Sequence, residues 1–209
     1  MAQKGQQFKA AIFRRKMKEI CELWCGIPAV GSHGERTVAK MADARIIEST
    51  PFSDERGSFQ VSWERQEMDA YGIQFNPQSN ALSFNAKSGT LRGLHYQTAP
   101  YGQSKLVSCA SGRVLDVIAD LRPESPSYLR WAATELSAGS GRSVYVPGGY
   151  AHGFLTLSDN ATVLYLLEGE YKPEAAATVR WNDPLLGICW PTAAPILSER
   201  DRLAGDFLV

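Results

Sequence analysis

From Ala42 onward the chain is written almost entirely in short β-rich runs, and that grammar limits the fold more than any other feature. Ala81 to Phe84, Lys105 to Ala110, Val114 to Asp120, Ser143 to Val146, Thr162 to Leu167 and Thr178 to Trp181 each have strand length and branched or aromatic content. Turn residues separate them: Asp54 to Gly57, Pro100 to Gly102, Ser111-Gly112, Pro123 to Pro126, Gly139 to Gly141, Pro147 to Gly149 and Ser158 to Asn160. Strands at this spacing, with no long helical pattern between them, predict an all-β sandwich, jelly roll or barrel. Beyond Pro191 the pattern dissolves into irregular chain with one short helix.

Residues 1–42 follow another rule. Phe8, Ile12, Phe13, Ile20, Leu23 and Trp24 recur at near-helical spacing among Arg14, Arg15, Lys16 and Lys18, the pattern of a basic amphipathic helix. A peripheral helix or frayed extension is the plainest reading, with a transit peptide and a membrane-surface helix as alternatives. Met41 directly precedes the first strand-like stretch, so residues 1–40 are expected to be an addition ahead of a second start, dispensable for activity. The division is therefore an extension over 1–42 and one β domain over 43–209.

With 44% hydrophobic residues in 209, the chain can bury a single sizeable core. Lys plus Arg and Asp plus Glu both number 22, so no global field draws nucleic acid, and an anionic partner must be held by a local cluster. No apolar run approaches the roughly 20 residues of a membrane span. The four cysteines are too scattered for a disulfide scaffold, which with no signal-like leader suggests the cytoplasm. Cys21 and Cys25 lack a second Cys/His pair to complete a zinc site.

Only three histidines occur, and two of them, His95 and His152, sit in dense motifs beside strands: Leu91-Arg-Gly-Leu-His95-Tyr-Gln97 and Val146-Pro-Gly-Gly-Tyr-Ala-His152-Gly-Phe154. Either one alone is more often structural than catalytic. A histidine base needs one ring nitrogen facing substrate and a partner, commonly a carboxylate, on the other.

Asp54-Glu-Arg-Gly-Ser-Phe59, Leu91 to Gln97, Lys105-Leu-Val, Asp116 to Arg122, Ala151-His-Gly-Phe154, Trp181-Asn-Asp-Pro184 and Leu197-Ser-Glu-Arg-Asp201 appear in order. Together, from about Ala44 to Asp206, they resemble the dTDP-4-dehydrorhamnose 3,5-epimerase family. The resemblance implies a double-stranded β-helix, the cupin or jelly-roll barrel, with an N-terminal helical extension and short C-terminal helical segments. It implies an isomerase that inverts C3, C5 or both in a nucleoside diphosphate 4-keto-6-deoxyhexose, as a homodimer, with no metal and no cofactor.

Carried over position by position, the resemblance makes His95 the proton-abstracting base and Asp201 the acid that orients it. Lys105 becomes the cation near the C4 oxygen, where an ammonium acts selectively on the enolate. Tyr165 becomes the acid on the opposite face, its phenol suited by an ordinary pKa of about 10. His152 matches a substrate contact. Arg56 and Arg92 are the diphosphate anchors, since a guanidinium fork matches phosphate bidentately. Phe59, with Arg56, is implied to contact nucleotide, from a neighbouring subunit. Gln78 and Asn80 match a polar pair, Tyr171 the ring that stacks on the base, and Arg200 a basic residue near the site.

Strict strand alternation sets Arg92 and His95 on opposite faces; a bulge at Gly93 is expected to reconcile them. The chain also departs from the family. Val61 stands where many members carry an acid, Ala176 replaces another near the nucleotide, and Gly148 replaces a common glutamate, so the nucleotide base stays open. A metal-dependent cupin oxygenase is the rival by fold, but Gln97 stands where its second histidine belongs and no glutamate follows before Pro123. A catalytically silent sugar-nucleotide binding module is the rival by class.

Overall fold

The computed structural model describes residues 41–208, so the helix expected near the amino end, with Cys21 and Cys25, lies outside the described residues. Twelve strands follow in chain order: β1 (Arg45–Glu48), β2 (Phe52–Asp54), β3 (Gly57–Phe59), β4 (Ser79–Asn85), β5 (Leu91–Gln97), β6 (Ser104–Ser111), β7 (Arg113–Asp120), β8 (Trp131–Ser137), β9 (Arg142–Val146), β10 (Tyr150–Thr156), β11 (Ala161–Glu168) and β12 (Ala176–Thr178). Two helices are short, α1 (Arg65–Ala70) and α2 (Glu199–Arg202), and a 3-10 turn spans Pro173–Ala175.

Ten strands form two five-stranded antiparallel sheets, ordered β1-β9-β6-β11-β4 and β12-β5-β10-β7-β8, that face each other as a double-stranded β-helix. Val107, Val144, Val146 and Val163 from the first sheet meet Val114, Ile118, Leu136 and Phe154 from the second inside the barrel. Each such side chain, once buried, contributes about 1.5–3 kcal/mol relative to an exposed one. The outer face of the second sheet is covered too: Leu91, Leu94, Leu115, Val117 and Leu155 pack against Leu186, Ile188 and Trp190 of the carboxyl-terminal segment. A smaller cluster, Ile47, Met68, Phe75, Leu106 and Tyr145, seats α1 on the outside of the first sheet.

The two histidine motifs are not beside strands but within them, as β5 and β10. All seven residues of β10 are buried, because both of its faces are covered, and a strand buried on both sides carries no polar alternation. The run expected from Thr178 to Trp181 ends at Thr178, and β8 and α1 carried no comparable sequence signal.

Candidate active site

The bulge at Gly93 builds the site. Opposite β10, His95 pairs with His152 and Arg92 with Phe154, so Gly93 and Leu94 together face the single residue Gly153. That extra residue restores Arg92 and His95 to one face, the barrel interior, while Leu94 turns outward into the covering core. Glycine is required at the crossing: Gly93 has φ +125°, and a Cβ there would stand 2.6 Å from the Gly153 Cα.

His95 meets Asp201 across the whole domain, with Nε2 and Oδ1 2.6 Å apart. Asp201 lies on α2, whose N-cap Ser198 accepts from the Asp201 amide at 3.1 Å. The approach to α2 is tied to β5 by Leu91 N donating to Ile196 O and Ile196 N donating to Gly89 O, at 2.9 and 2.8 Å. Burial penalises the charge on Asp201, yet the hydrogen bond from His95, with help from Ser198 and the Gly93 amide, holds its carboxyl below the usual range. A carboxylate only accepts, so His95 Nε2 donates and Nδ1 is left for a substrate.

Beside His95 opens a cleft lined by Gln103, Lys105, Tyr171, Ala176 and Arg200. Among the described residues, its lining includes two basic side chains and no aspartate or glutamate. Burial depresses Lys105 to about 8 against a partial lift from the charge of Asp116. Deeper in the barrel, the rings of Tyr165 and His152 meet edge to face at 5.9 Å. Burial first, and the Asp116 charge second, push the Tyr165 phenol well above its ordinary range, so it stays protonated at neutral pH. Arg92 reaches across to β4, donating to Asn85 Oδ1 at 2.7 Å.

Other expected residues lie elsewhere in the protomer. Arg56 and Phe59 stand on the β2-β3 hairpin, which pairs with no other strand; Arg56 is bound to Asp54 and Phe59 is 71% exposed. Asn80 is exposed on β4, whereas Gln78 Oε1 accepts from the Gly169 amide at 2.9 Å. Gln97, where a metal-binding cupin would place a histidine, is a loop clamp: its amide donates to Tyr101 O and Glu170 O and its oxygen accepts from Lys172 N. Among the described residues no group of histidine, cysteine or acidic side chains is placed to hold a metal ion. Gly148 packs on the Gly102 backbone, where a Cβ would come within 3.0 Å, so the missing glutamate has a steric counterpart.

Sequence reasoning missed Asp116. It lies on β7 inside the quoted Asp116 to Arg122 motif but had no role, and here its Oδ2 sits 2.7 Å from His152 Nε2, with the pair fully buried. The available signal was position: an aspartate in the middle of an otherwise apolar strand needs a partner.

A histidine backed by a carboxylate on one wall of a β-lined cup, with a phenol and a half-buried lysine nearby, suits proton transfer at carbon beside a carbonyl: the arrangement is that of a cupin-type isomerase. The chain belongs to the dTDP-4-dehydrorhamnose 3,5-epimerase family, whose profile matches residues 38–208. The Salmonella typhimurium dTDP-4-dehydrorhamnose 3,5-epimerase is 40% identical over 166 residues, covering 78% of this chain and 89% of that one. The Bacillus anthracis enzyme, solved with TDP and PPi bound, superposes with a TM-score of 0.78 at 36% identity, covering 82% of this chain and 99% of that one. ChmJ, a 3'-monoepimerase from Streptomyces bikiniensis solved with dTDP-quinovose, gives 0.74 at 34% identity over 80% and 85% of the two chains. No described helix is long and apolar enough to cross a membrane.

Proposed function

We propose that this enzyme epimerises a nucleoside diphosphate 4-keto-6-deoxyhexose, of the dTDP-4-dehydro-6-deoxyglucose type, at C3, C5 or both, in deoxysugar biosynthesis. The contact between His95 and Asp201 at 2.6 Å carries the reading: it holds the ring by one nitrogen beside the cleft and leaves the other nitrogen for substrate, the arrangement a histidine base needs. His95 Nδ1 takes the proton from the carbon beside the ketone. The C–H electron pair becomes the carbon–carbon bond of an enolate whose oxygen charge Lys105 stabilises. Tyr165 returns a proton to the opposite face, inverting the centre, and solvent restores both residues to their starting protonation. Each acid–base group contributes typically 10²–10⁴-fold.

The same reading assigns the diphosphate to Arg92 and Arg56, the base to Tyr171, and further contacts to His152, Arg200, Gln78 and Asn80. Arg56 and Phe59 reach a neighbouring subunit's cleft in a homodimer. Their exposure on an unpaired hairpin, with Phe52 70%, Leu82 68% and Phe84 60% exposed, supports that assembly. The compartment is the cytoplasm, as the sequence suggests.

Incubation with the 4-keto sugar nucleotide in heavy water tests the proposal. Deuterium is expected at C3, C5 or both by NMR, with sedimentation at dimer mass. A protein that binds the nucleotide but leaves every carbon unlabelled is the silent binding module instead.

A further inference from the structure

Among the described residues four aspartates are buried: Asp116, Asp120, Asp183 and Asp201. Three have both oxygens engaged. Asp120 accepts from Arg122, Ser125 and Ser127. Asp183 accepts from the amides of Leu185, Leu186 and Phe207. Asp201 is held between His95 and the Gly93 amide. Asp116 differs, for while its Oδ2 faces His152, its Oδ1 is buried with no partner. A buried acceptor left unmatched is costly, more so when charged, which makes an unpaired carboxylate oxygen beside the residues assigned to the reaction a candidate for a ligand's donor.

The direction of Asp116 follows from β7. Its neighbours at alternate positions, Val114 and Ile118, belong to the cluster inside the barrel, so Asp116 points inward as well. It stands among the residues assigned to the reaction: His152 touches both Asp116 and the ring of Tyr165, and the charge of Asp116 acts on Lys105 and Tyr165. Lys105 lines the cleft, and Asp116 lies buried in the barrel within reach of its charge, with one carboxylate oxygen unpaired.

We propose that the free oxygen of Asp116 accepts a hydrogen bond from the C3 hydroxyl of the sugar, which makes Asp116 the residue through which this site requires a hydroxyl beside the ketone. The proposal rests on the epimerase reading. Within that reading the reacting end of the sugar offers two kinds of oxygen. The C4 ketone only accepts, and it gains negative charge as the enolate forms, so it goes to the Lys105 ammonium and would be repelled by a carboxylate. The adjacent C3 hydroxyl can donate, and a carboxylate oxygen is the partner it needs. A site built to receive a hydroxyl rejects an analogue lacking it far more strongly than an apolar pocket discriminates a methylene, because its own polar group is then left unmatched.

The test crosses two sugars with two proteins. Deuterium incorporation beside the ketone, at C3 and C5, is followed by NMR for a 4-keto-6-deoxyhexose nucleotide and its 3-deoxy counterpart, with wild type and Asp116→Asn. Wild type is expected to favour the hydroxylated sugar by about 10²-fold in kcat/KM, below the 10⁴–10⁵ limit for such sites. Asp116→Asn is expected to shrink that preference to tenfold or less. An equal preference in both proteins overturns the assignment. Should the variant not fold, calorimetry on wild type with non-keto hexose nucleotides bearing or lacking the C3 hydroxyl decides: tighter binding of the former supports the role, and equal affinity ends it. Deuterium entering neither sugar with wild type would refute the epimerase reading, and the calorimetric comparison would still judge Asp116.

Discussion

Replacing Lys105 with methionine should stabilise the protein while removing its activity, and the size of the gain should depend on pH. Burial lowers the folded-state pKa of Lys105 from 10.5 to about 8, so below pH 8 the folded protein carries a cation that the interior disfavours. At about 1.36 kcal/mol per pKa unit, that amounts to roughly 3 kcal/mol. The sign follows from proton linkage: between pH 8 and 10.5 the unfolded chain holds the proton and the folded chain has released it, so wild-type stability rises with pH in that window. Methionine fills similar space without charge, so Lys105→Met should exceed wild type by up to roughly 3 kcal/mol at pH 7, an increase in Tm on the order of 10 °C, and converge with it above pH 10.5. Urea titrations of both proteins at several pH values measure the difference, and deuterium exchange measures the lost turnover. A variant less stable than wild type at pH 7, or a difference that does not change between pH 7 and 10.5, would refute the argument that Lys105 is a desolvated cation.

Other substitutions follow from the same structure. His95→Ala and Asp201→Ala should each cost about 10²–10⁴-fold in kcat while nucleotide binding, read by calorimetry, is retained; near-normal turnover in His95→Ala would remove the proposed base. Because the Asp201 carboxyl lies below its ordinary 3.8, its contribution to stability is present above that pH and lost as pH falls through the folded value, so Asp201→Asn should flatten the acid side of a thermal-melt profile. Gly93→Ala puts a Cβ 2.6 Å from Gly153 Cα at a φ that L-residues resist, and a loss of about 2 kcal/mol or more in chemical denaturation is expected, with displacement of the His95 ring. A chain begun at Met41 should keep full turnover, whereas removing residues through Ala44 should lower the melting temperature, because the side chains of Met41 and Ala44 are buried in the barrel core.

The β class and most strand positions were legible because strand length and turn residues are local properties of a chain, whereas the roles proposed for His95, Lys105, Tyr165 and Asp201 came from the resemblance carried by short motifs. The strand through His152 was obscured, since covering β10 on both faces erased the alternation that marks a half-buried strand. Asp201 was proposed for His95 only by resemblance; what brings the two together is the docking of the carboxyl-terminal segment along β5, a contact with no local trace. Gly93 announced that a bulge was possible, but its position was decided by the backbone crossing with Gly153, which restored Arg92 and His95 to one face. Asp116 makes the same point from the opposite side. An aspartate in an apolar strand is visible to any reader of the sequence, yet only packing reveals that one oxygen meets His152 while the other is buried unpaired. Local pattern is set by neighbours along the chain, but the pairing of buried polar atoms is set by which distant strands are pressed together, and that is where the chemistry of this protein resides.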